Sequence, residues 1–541
     1  MQAFTAFLVL FSLLTRAFSV PLSTKSRWII DDVGGQRVKL VGGNWAGHVG
    51  PMLPEGLDKR PLSEIAGHIA LMGFNSVRLT YSTYMFTQYS HLTVLQSLRN
   101  LSLHDAIDGM TKYNPQLLKL TLPRAQEAVI NQLASHGIMI VLDNQVSKPI
   151  WCCGDDDGNG FWGDEYFDPK DWLRSLHIVA HRYKNNPMVV AMSLRNEIRG
   201  KRQNAKDWRK YVRKGAKQIH KSNPNVLILV GGLSYALDLT PLKTKALNIK
   251  ATSKLRNKIV YESHRYAFTM GQSNNYLRKP LNQFCDSVIA DMENRTTFVT
   301  RGPNAAPLYI SEFGVNMLGN QTYDNVFLGC FLAYLAKHDL DWNMWALQGS
   351  YYLRDEGQGV EEQYGMFTTN WTQIRNPDVH AKILSVQQMI RDPKSHAPRY
   401  LRMYHPMTGR CLSVNDNSTQ IHATDCHKFS KWSYNNLVIQ LNGTPYCLAS
   451  SGEDSPLSLT TDCDSKRSTW KAVSSYQLAD SDNLCMHYDP SYSPYVLARK
   501  CICAGSESVG GPERRWFTLR RMSAVRVRLS PTRELSRYKA M

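Results

Sequence analysis

Eight short apolar runs, alternating with longer amphipathic stretches, constrain this chain more than any other feature. They are Val38–Val41, Ser76–Thr80, Ile138–Leu142, Val189–Leu194, Val226–Val230, Ile259–Glu262, Leu308–Ile310 and Leu340–Trp345. Runs without polar alternation read as strands buried on both faces, the habit of parallel sheets. Between them Leu62–Met72, Pro123–His136, Pro169–Tyr183, Asp207–His220 and Asn325–His338 have helical spacing, and the basic polar positions of Asp207–His220 mark an exposed outer helix. Strand–helix alternation from about Trp28 to Asp392 predicts the α/β class, and eight strands predict a (β/α)8 TIM barrel with loop insertions. A doubly wound open sheet would share the alternation, but no G-x-G-x-x-G follows the first run.

The composition changes around Lys394–Pro398. Beyond it a unit repeats three times, opening with GRCLS at Cys411, PYCLA at Cys447 and NLCMH at Cys485. Each unit has a second cysteine (Cys426, Cys463, Cys501) and then a tryptophan (Trp432, Trp470, Trp516). Three cysteine pairs in phase with three tryptophans predict an all-β β-trefoil over residues 398–521, with the tryptophans in a shared core. Each disulfide would restrict the unfolded chain by about 3 kcal/mol. Cys503 is an alternative to Cys501 as the third partner. Of the remaining cysteines, adjacent Cys152 and Cys153 do not bond to each other without strain, so one is expected to reach Cys285 or Cys330. No Cys/His spacing supports a zinc site.

Residues 1–19 read as a signal peptide, with an apolar run from Ala3 to Leu14 and small residues at Ala17 and Ser19. Its n-region lacks a positive charge. Eleven cysteines suit an oxidising compartment, as do the N-x-[ST] sequons at Asn100, Asn294, Asn320, Asn370, Asn417 and Asn442. A secreted, extracellular, monomeric protein is the expectation. No apolar run reaches the roughly 18 residues of a membrane span. The net charge of +19 is uneven: residues 522–541 are basic, show no core pattern and read as a disordered tail. The remaining basic charge can favour acidic wall polymers, although a solvated surface is the plainer reading. No nucleic-acid motif is present. The acidic stretch Gly154–Asn159 lacks the rest of a calcium loop and reads as a solvated turn. No cofactor is implied.

Polar residues cluster where the predicted strands end. Arg78 ends the second, Asp143-Asn144-Gln145 the third and Asn196-Glu197 the fourth; His264 and Tyr266 follow the sixth, Glu312 the seventh, and Trp345 ends the eighth. Strand ends of one polarity form the catalytic rim of such a barrel. Two glutamates there suggest glycoside hydrolysis, which needs an acid and a nucleophile on opposite sides of one bond. Glu312 as nucleophile must stay ionised, and Arg78 and Tyr266 are plausible partners. Glu197 as general acid needs a raised pKa. His264 is expected near Glu197, Asn196 at a sugar 2-hydroxyl, and Trp345 beneath a sugar ring.

This ordered series of Arg, Asn-Glu, His-x-Tyr, Glu-Phe-Gly and Trp resembles glycoside hydrolase family 5, the cellulase family. The segment VLDNQVSKPIWCC and the trefoil resemble plant members that carry a C-terminal ricin B-like lectin domain. The resemblance covers about residues 28–520. It implies a retaining mechanism with Glu197 as acid/base and Glu312 as nucleophile. It also implies a central sugar subsite lined by Arg78, Asn196, His264, Tyr266 and Trp345, to which Asn144 and Gln145 at the end of the third strand are added as substrate-binding candidates. Two departures stand out. Gln145 occupies a position where the family usually has histidine. Ricin-like sites carry Asp two residues after the first cysteine, where this chain has Ser413, Ala449 and His487, and Q-x-W is replaced by SKW, STW and RRW. Asp416, Asp425 and Asp462 are weak replacements, so glycan binding by the trefoil stands against a purely structural role. The expected activity is endo-hydrolysis of a β-1,4-glucan or mannan. The alternatives are a carbohydrate-binding protein that has lost turnover and a transglycosylase.

Overall fold

The computed structural model describes residues 21–247, 255, 257–270, 281–389, 391–394, 399–414, 419–426, 428–502, 512–515 and 517–523. The signal-peptide reading, Asp416, Asn417, Cys503, Trp516 and the tail beyond Ser523 lie outside them.

A hairpin of β1 (Leu22–Lys25) and β2 (Trp28–Asp31) precedes eight parallel strands. These are β3 (Val41–Trp45), β4 (Ser76–Ser82), β5 (Met139–Val146), β6 (Val189–Ser193), β7 (Leu227–Gly231), β8 (Ile259–Tyr266), β9 (Leu308–Gly314) and β10 (Asp341–Met344). They pair in sequence order and close when Trp342 of β10 meets Val41 of β3. Leu22 and Ile29 of the hairpin pack with Met139, Val190, Leu227 and Val260 at the strand starts, sealing that end of the barrel.

The first strand lies further along the chain than its apolar run predicts. Val38 and Leu40 belong to the hairpin cluster, and the Val38 amide donates to Ile29 O at 3.0 Å. The strand proper is VGGNW. A Cβ on Gly42 would lie 1.7 Å from the carbonyl oxygen of Ser76, so the close approach of β3 to β4 requires glycine.

The outer layer contains α1 (Leu62–Leu71), α2 (Leu122–Ser135), α3 (Pro169–Arg182), α4 (Ala205–Ser222), α5 (Leu281–Arg295), α6 (Thr322–His338) and α7 (Pro377–Gln387). In α4 Asn204 caps the first turn by accepting from the Asp207 amide, and Trp208, Val212, Ala216 and Ile219 face inward; its Lys/Arg face is outward, as the amphipathic spacing requires. The insertion after β4 folds as helices Thr83–Thr87, Val94–Asn100 and His104–Tyr113.

Helix α6 is buried along nearly its whole circumference, because a second unit covers it. That unit is all-β and antiparallel. Strand Arg399–His405 pairs with Arg410–Val414, Trp432–Asn435 and Thr518–Ser523. Leu412, Leu448 and Met486, each following the first cysteine of a repeat, share one core with Trp432 and Trp470. The disulfides are Cys411–Cys426, Cys447–Cys463 and Cys485–Cys501. Tyr476 donates to Cys330 O of α6 at 3.1 Å, and Asn282 of α5 donates to Gln477 at 2.6 Å.

The barrel cysteines correct the sequence expectation. Cys285 of α5 and Cys330 of α6 bond to each other across facing helices, with Cα atoms 5.3 Å apart, an ordinary disulfide span. Each thereby satisfies the other. Cys152 and Cys153 also bond to each other.

Candidate active site

The C-terminal ends of the strands open into a cleft of about 540 Å³. Its floor is a network centred on Arg78, which is fully buried on β4. One guanidinium nitrogen donates to Glu312 Oε1 at 2.6 Å and to Asn44 Oδ1 at 2.9 Å. Another donates to Asn196 Oδ1 at 2.9 Å and lies 2.9 Å from Asp143 Oδ1. Glu312, on β9, also accepts from the Tyr266 hydroxyl at 2.8 Å. His264 Nδ1 lies 2.7 Å from Glu197 Oε1 and 3.6 Å from Glu312 Oε2, while Nε2 meets Ser311 Oγ at 3.1 Å. One imidazole therefore sits between two carboxylates. Just beyond β6, Glu197 has φ 39°, a left-handed conformation that costs a non-glycine residue energy and is found at functional sites. Arg199 holds this turn by donating to Glu197 O at 2.8 Å.

The charges respond to this packing. Burial would raise the Glu312 pKa, but His264, Arg78 and the Tyr266 hydrogen bond outweigh it, and the carboxyl is held below its ordinary value. Burial opposes a charged His264, yet Glu312 and Glu197 prevail and raise its pKa. Asp143 is pushed up to about 7, mainly by burial and, against the pull of Arg78, by Glu262 and Glu312. A protonated Asp143 leaves the positive charge of Arg78 to Glu312.

The cleft wall contains Trp345, Gln145, Trp151, Tyr235, Phe268 and Arg354. Trp151 packs edge-on to Tyr351 at 5.2 Å, with the Arg354 guanidinium 3.8 Å over its ring. Phe268 is 62% exposed and stacks on Tyr266 at 4.9 Å.

Of the residues expected to touch substrate, Glu197, Glu312, Gln145, His264, Tyr266 and Trp345 line the cleft. Arg78 and Asn196 lie buried beneath it. Asn144 is a correction: it is 0% exposed, its oxygen accepts from Arg195 at 2.9 Å, and its nitrogen donates to Thr83 at 3.0 Å. Both ends of its amide are occupied, so it supports the rim rather than binding a ligand.

Sequence reading missed Asn44 and His48 because the first strand was placed too early. His48 Nδ1 meets Thr80 Oγ1 at 2.8 Å, and burial drives its pKa down to about 3. Trp151 lies outside any helix or strand, and Tyr235, Phe268 and Arg354 sit in elements of two to four residues (Leu233–Ala236, Ala267–Met270 and Leu353–Arg354), too short for periodicity to mark them; for the three aromatics, only their ring character after a strand end signals a sugar site.

Glu197, His264 and Glu312 present ligand atoms within 4.8 Å of one another, a spacing that can hold a metal ion. The neighbouring Arg78 cation already neutralises Glu312, which disfavours a second cation there. Cys152 and Cys153 are oxidised and offer no thiolate.

Residues 33–350 match the family model Cellulase (glycosyl hydrolase family 5). A "Glycosyl hydrolase 5 family protein" of Chamaecyparis obtusa is 40% identical over 523 residues, spanning 92% of this chain and 92% of its own. An "Endoglucanase" of Paenibacillus polymyxa is 24% identical over 367 residues, covering 65% of this chain and 84% of its own. The same fold occurs in a cellotetraose complex of the endocellulase from Pyrococcus horikoshii, with TM-score 0.54 and 19% identity, covering 68% of this chain and 99% of that one. The chain belongs to glycosyl hydrolase family 5, the cellulase family.

Proposed function

We propose that the protein is a secreted retaining β-glycosidase that cuts a β-1,4-linked glucan or mannan internally by double displacement. The observation that carries this is the approach of the Glu197 and Glu312 carboxylates, whose oxygens come within 4.8 Å. A retaining pair needs roughly 5–5.5 Å between carboxyl groups, whereas an inverting pair leaves roughly 6.5–9.5 Å for a water. Glu312, kept ionised by His264, Arg78 and Tyr266, attacks the anomeric carbon. Glu197 gives its proton to the leaving oxygen, then takes one from the water that releases the glycosyl-enzyme. His264 bonds to Glu197 and orients it. Trp345 offers a flat apolar face to a sugar ring. Glucan is favoured as substrate because the Paenibacillus relative is called an endoglucanase and the Pyrococcus enzyme was solved with cellotetraose. The five disulfides among the described residues fit an oxidising, extracellular location.

The second unit, residues 398–521 beside a 28–392 catalytic unit, is read as a ricin B-like β-trefoil whose role is structural. Ala449 and His487 stand where ligand carboxylates would be, only 8% and 2% exposed.

The test is release of reducing ends from β-glucans, mannans and xylans by the secreted protein. Glu312→Gln should reduce release by roughly 10⁴-fold or more. Undiminished release by that variant would refute the assignment.

A further inference from the structure

Resting on the hydrolase reading, we infer that the Cys152–Cys153 disulfide is a substrate-contacting wall of the cleft that helps determine which sugar fits beside Glu197. Both cysteines line the cleft together with Glu197, Gln145 and Trp151. The pair is clamped from either side. Trp151, immediately before it, is fixed by Tyr351, Trp345 and Arg354. Gly154, immediately after it, accepts through its carbonyl from Arg199 Nε at 2.8 Å, and the same guanidinium donates to Glu197 O. The sulfurs are thereby tied to the backbone of Glu197 through one arginine.

Asn196 supplies the second observation. Its oxygen is taken by Arg78, which turns its NH2 group toward the sulfurs, 3.6 Å from Cys152 Sγ and 3.5 Å from Cys153 Sγ. Sulfur is only a weak acceptor. At this point the pair therefore covers a strong amide donor and presents a compact, polarisable and nearly apolar surface. Such a surface suits the C–H face of a pyranose and disfavours a sugar that projects a hydroxyl into it, because that hydroxyl would lose its hydrogen bonds to water. The occupant is a neutral β-glucan unit whose apolar edge faces the sulfurs and whose hydroxyls face Gln145 and the carboxylates.

The experiment measures cello-oligosaccharide hydrolysis by the native protein and by C152A/C153A, alongside melting temperature. The double variant should lose about 10-fold or more in kcat/KM, chiefly through KM, with an unchanged melting temperature. Unchanged kinetics would overturn the proposal while leaving the hydrolase reading intact. Absence of turnover and binding in the native protein would overturn both. A second measurement keeps the idea testable if the double variant does not fold. In Glu312→Gln, with the full chain otherwise native, cellotetraose binding is established by calorimetry, and reduction and alkylation of Cys152 and Cys153 are followed by mass spectrometry. Bound cellotetraose should slow their modification without affecting Cys447 and Cys463. Equal rates with the ligand demonstrably bound would overturn the proposal.

Discussion

The rim of the barrel and the threefold repeat of the C-terminal unit use their distinctive residues for opposite purposes. At the rim, residues from different strands converge on one open cleft, and their charges interlock: Arg78 serves Glu312 and Asp143, and His264 serves Glu197 and Glu312. In the repeat, the recurring residues are Cys, an apolar neighbour and Trp; the apolar neighbours Leu412, Leu448 and Met486 meet Trp432 and Trp470 in a closed core, and the cysteines staple each unit. The positions that would face a sugar do not recur: Ser413, Ala449 and His487 differ in size and polarity. Repetition there maintains a fold. At the rim, single unrepeated residues maintain a site.

The sharpest way to break this contrast is Arg78→Met. It strands the buried carboxylate of Glu312 without its cation, which costs about 3–5 kcal/mol of stability. Loss of an electrostatic partner of the proposed nucleophile should lower kcat by about 10²–10³-fold. Arg78→Lys keeps the charge but loses the fork that reaches Asn44, Glu312 and Asn196 together, and should fall between. Thermal melts and kcat/KM on one soluble oligosaccharide check both variants. Normal activity in Arg78→Met would mean that the interlocked charges are structural only.

The complementary change is Cys447→Ser with Cys463→Ser. These residues are sixteen apart, and losing such a loop constraint should cost about 2–4 kcal/mol. Hydrolysis of a soluble oligosaccharide should be unchanged, because neither cysteine lines the cleft. A fall in kcat/KM without a lower melting temperature would mean that the C-terminal unit takes part in the reaction.

The same contrast explains what the sequence disclosed. The eight-stranded barrel was legible because buried parallel strands are continuous apolar runs, and Glu197, His264, Tyr266 and Glu312 were legible because they directly follow such runs. Strand β3 was misplaced because VGGNW has a Gly-Gly pair and an Asn in place of an apolar run, with Gly42 required by the close approach to β4, and the stronger run beside it belongs to the hairpin plug. Asn44 and His48 were lost with it. Asn144 was misread because position at a strand end does not reveal direction: its amide turns to Arg195 and Thr83. The cysteine pairing at Cys152–Cys153 was missed because the rule against adjacent bonding addresses strain, while the pairing depends on which cysteines the helices bring together. Cys285 and Cys330 sit on facing helices, a juxtaposition that only the tertiary fold creates.

The smallest expected effect belongs to Gln145, where the barrel itself departs from the family pattern. Gln145 is buried at the cleft wall, and among the described residues its Oε1 has no hydrogen-bond partner. A buried acceptor left unpaired is costly, so this oxygen gains most when a sugar hydroxyl donates to it. Gln145→Leu removes the acceptor without orphaning another group, and should raise KM by about 3–10-fold, the worth of one net hydrogen bond, with little change in kcat. Gln145→His restores a ring nitrogen at the same wall and should recover part of that loss. Michaelis parameters for both variants on one cello-oligosaccharide decide the matter. If kcat falls while KM holds, Gln145 acts in the transition state rather than in binding. The rim would then tolerate exchange at this position no better than at its glutamates, and the contrast with the C-terminal unit, where the sugar-facing positions vary freely around a fixed core, would be sharper still.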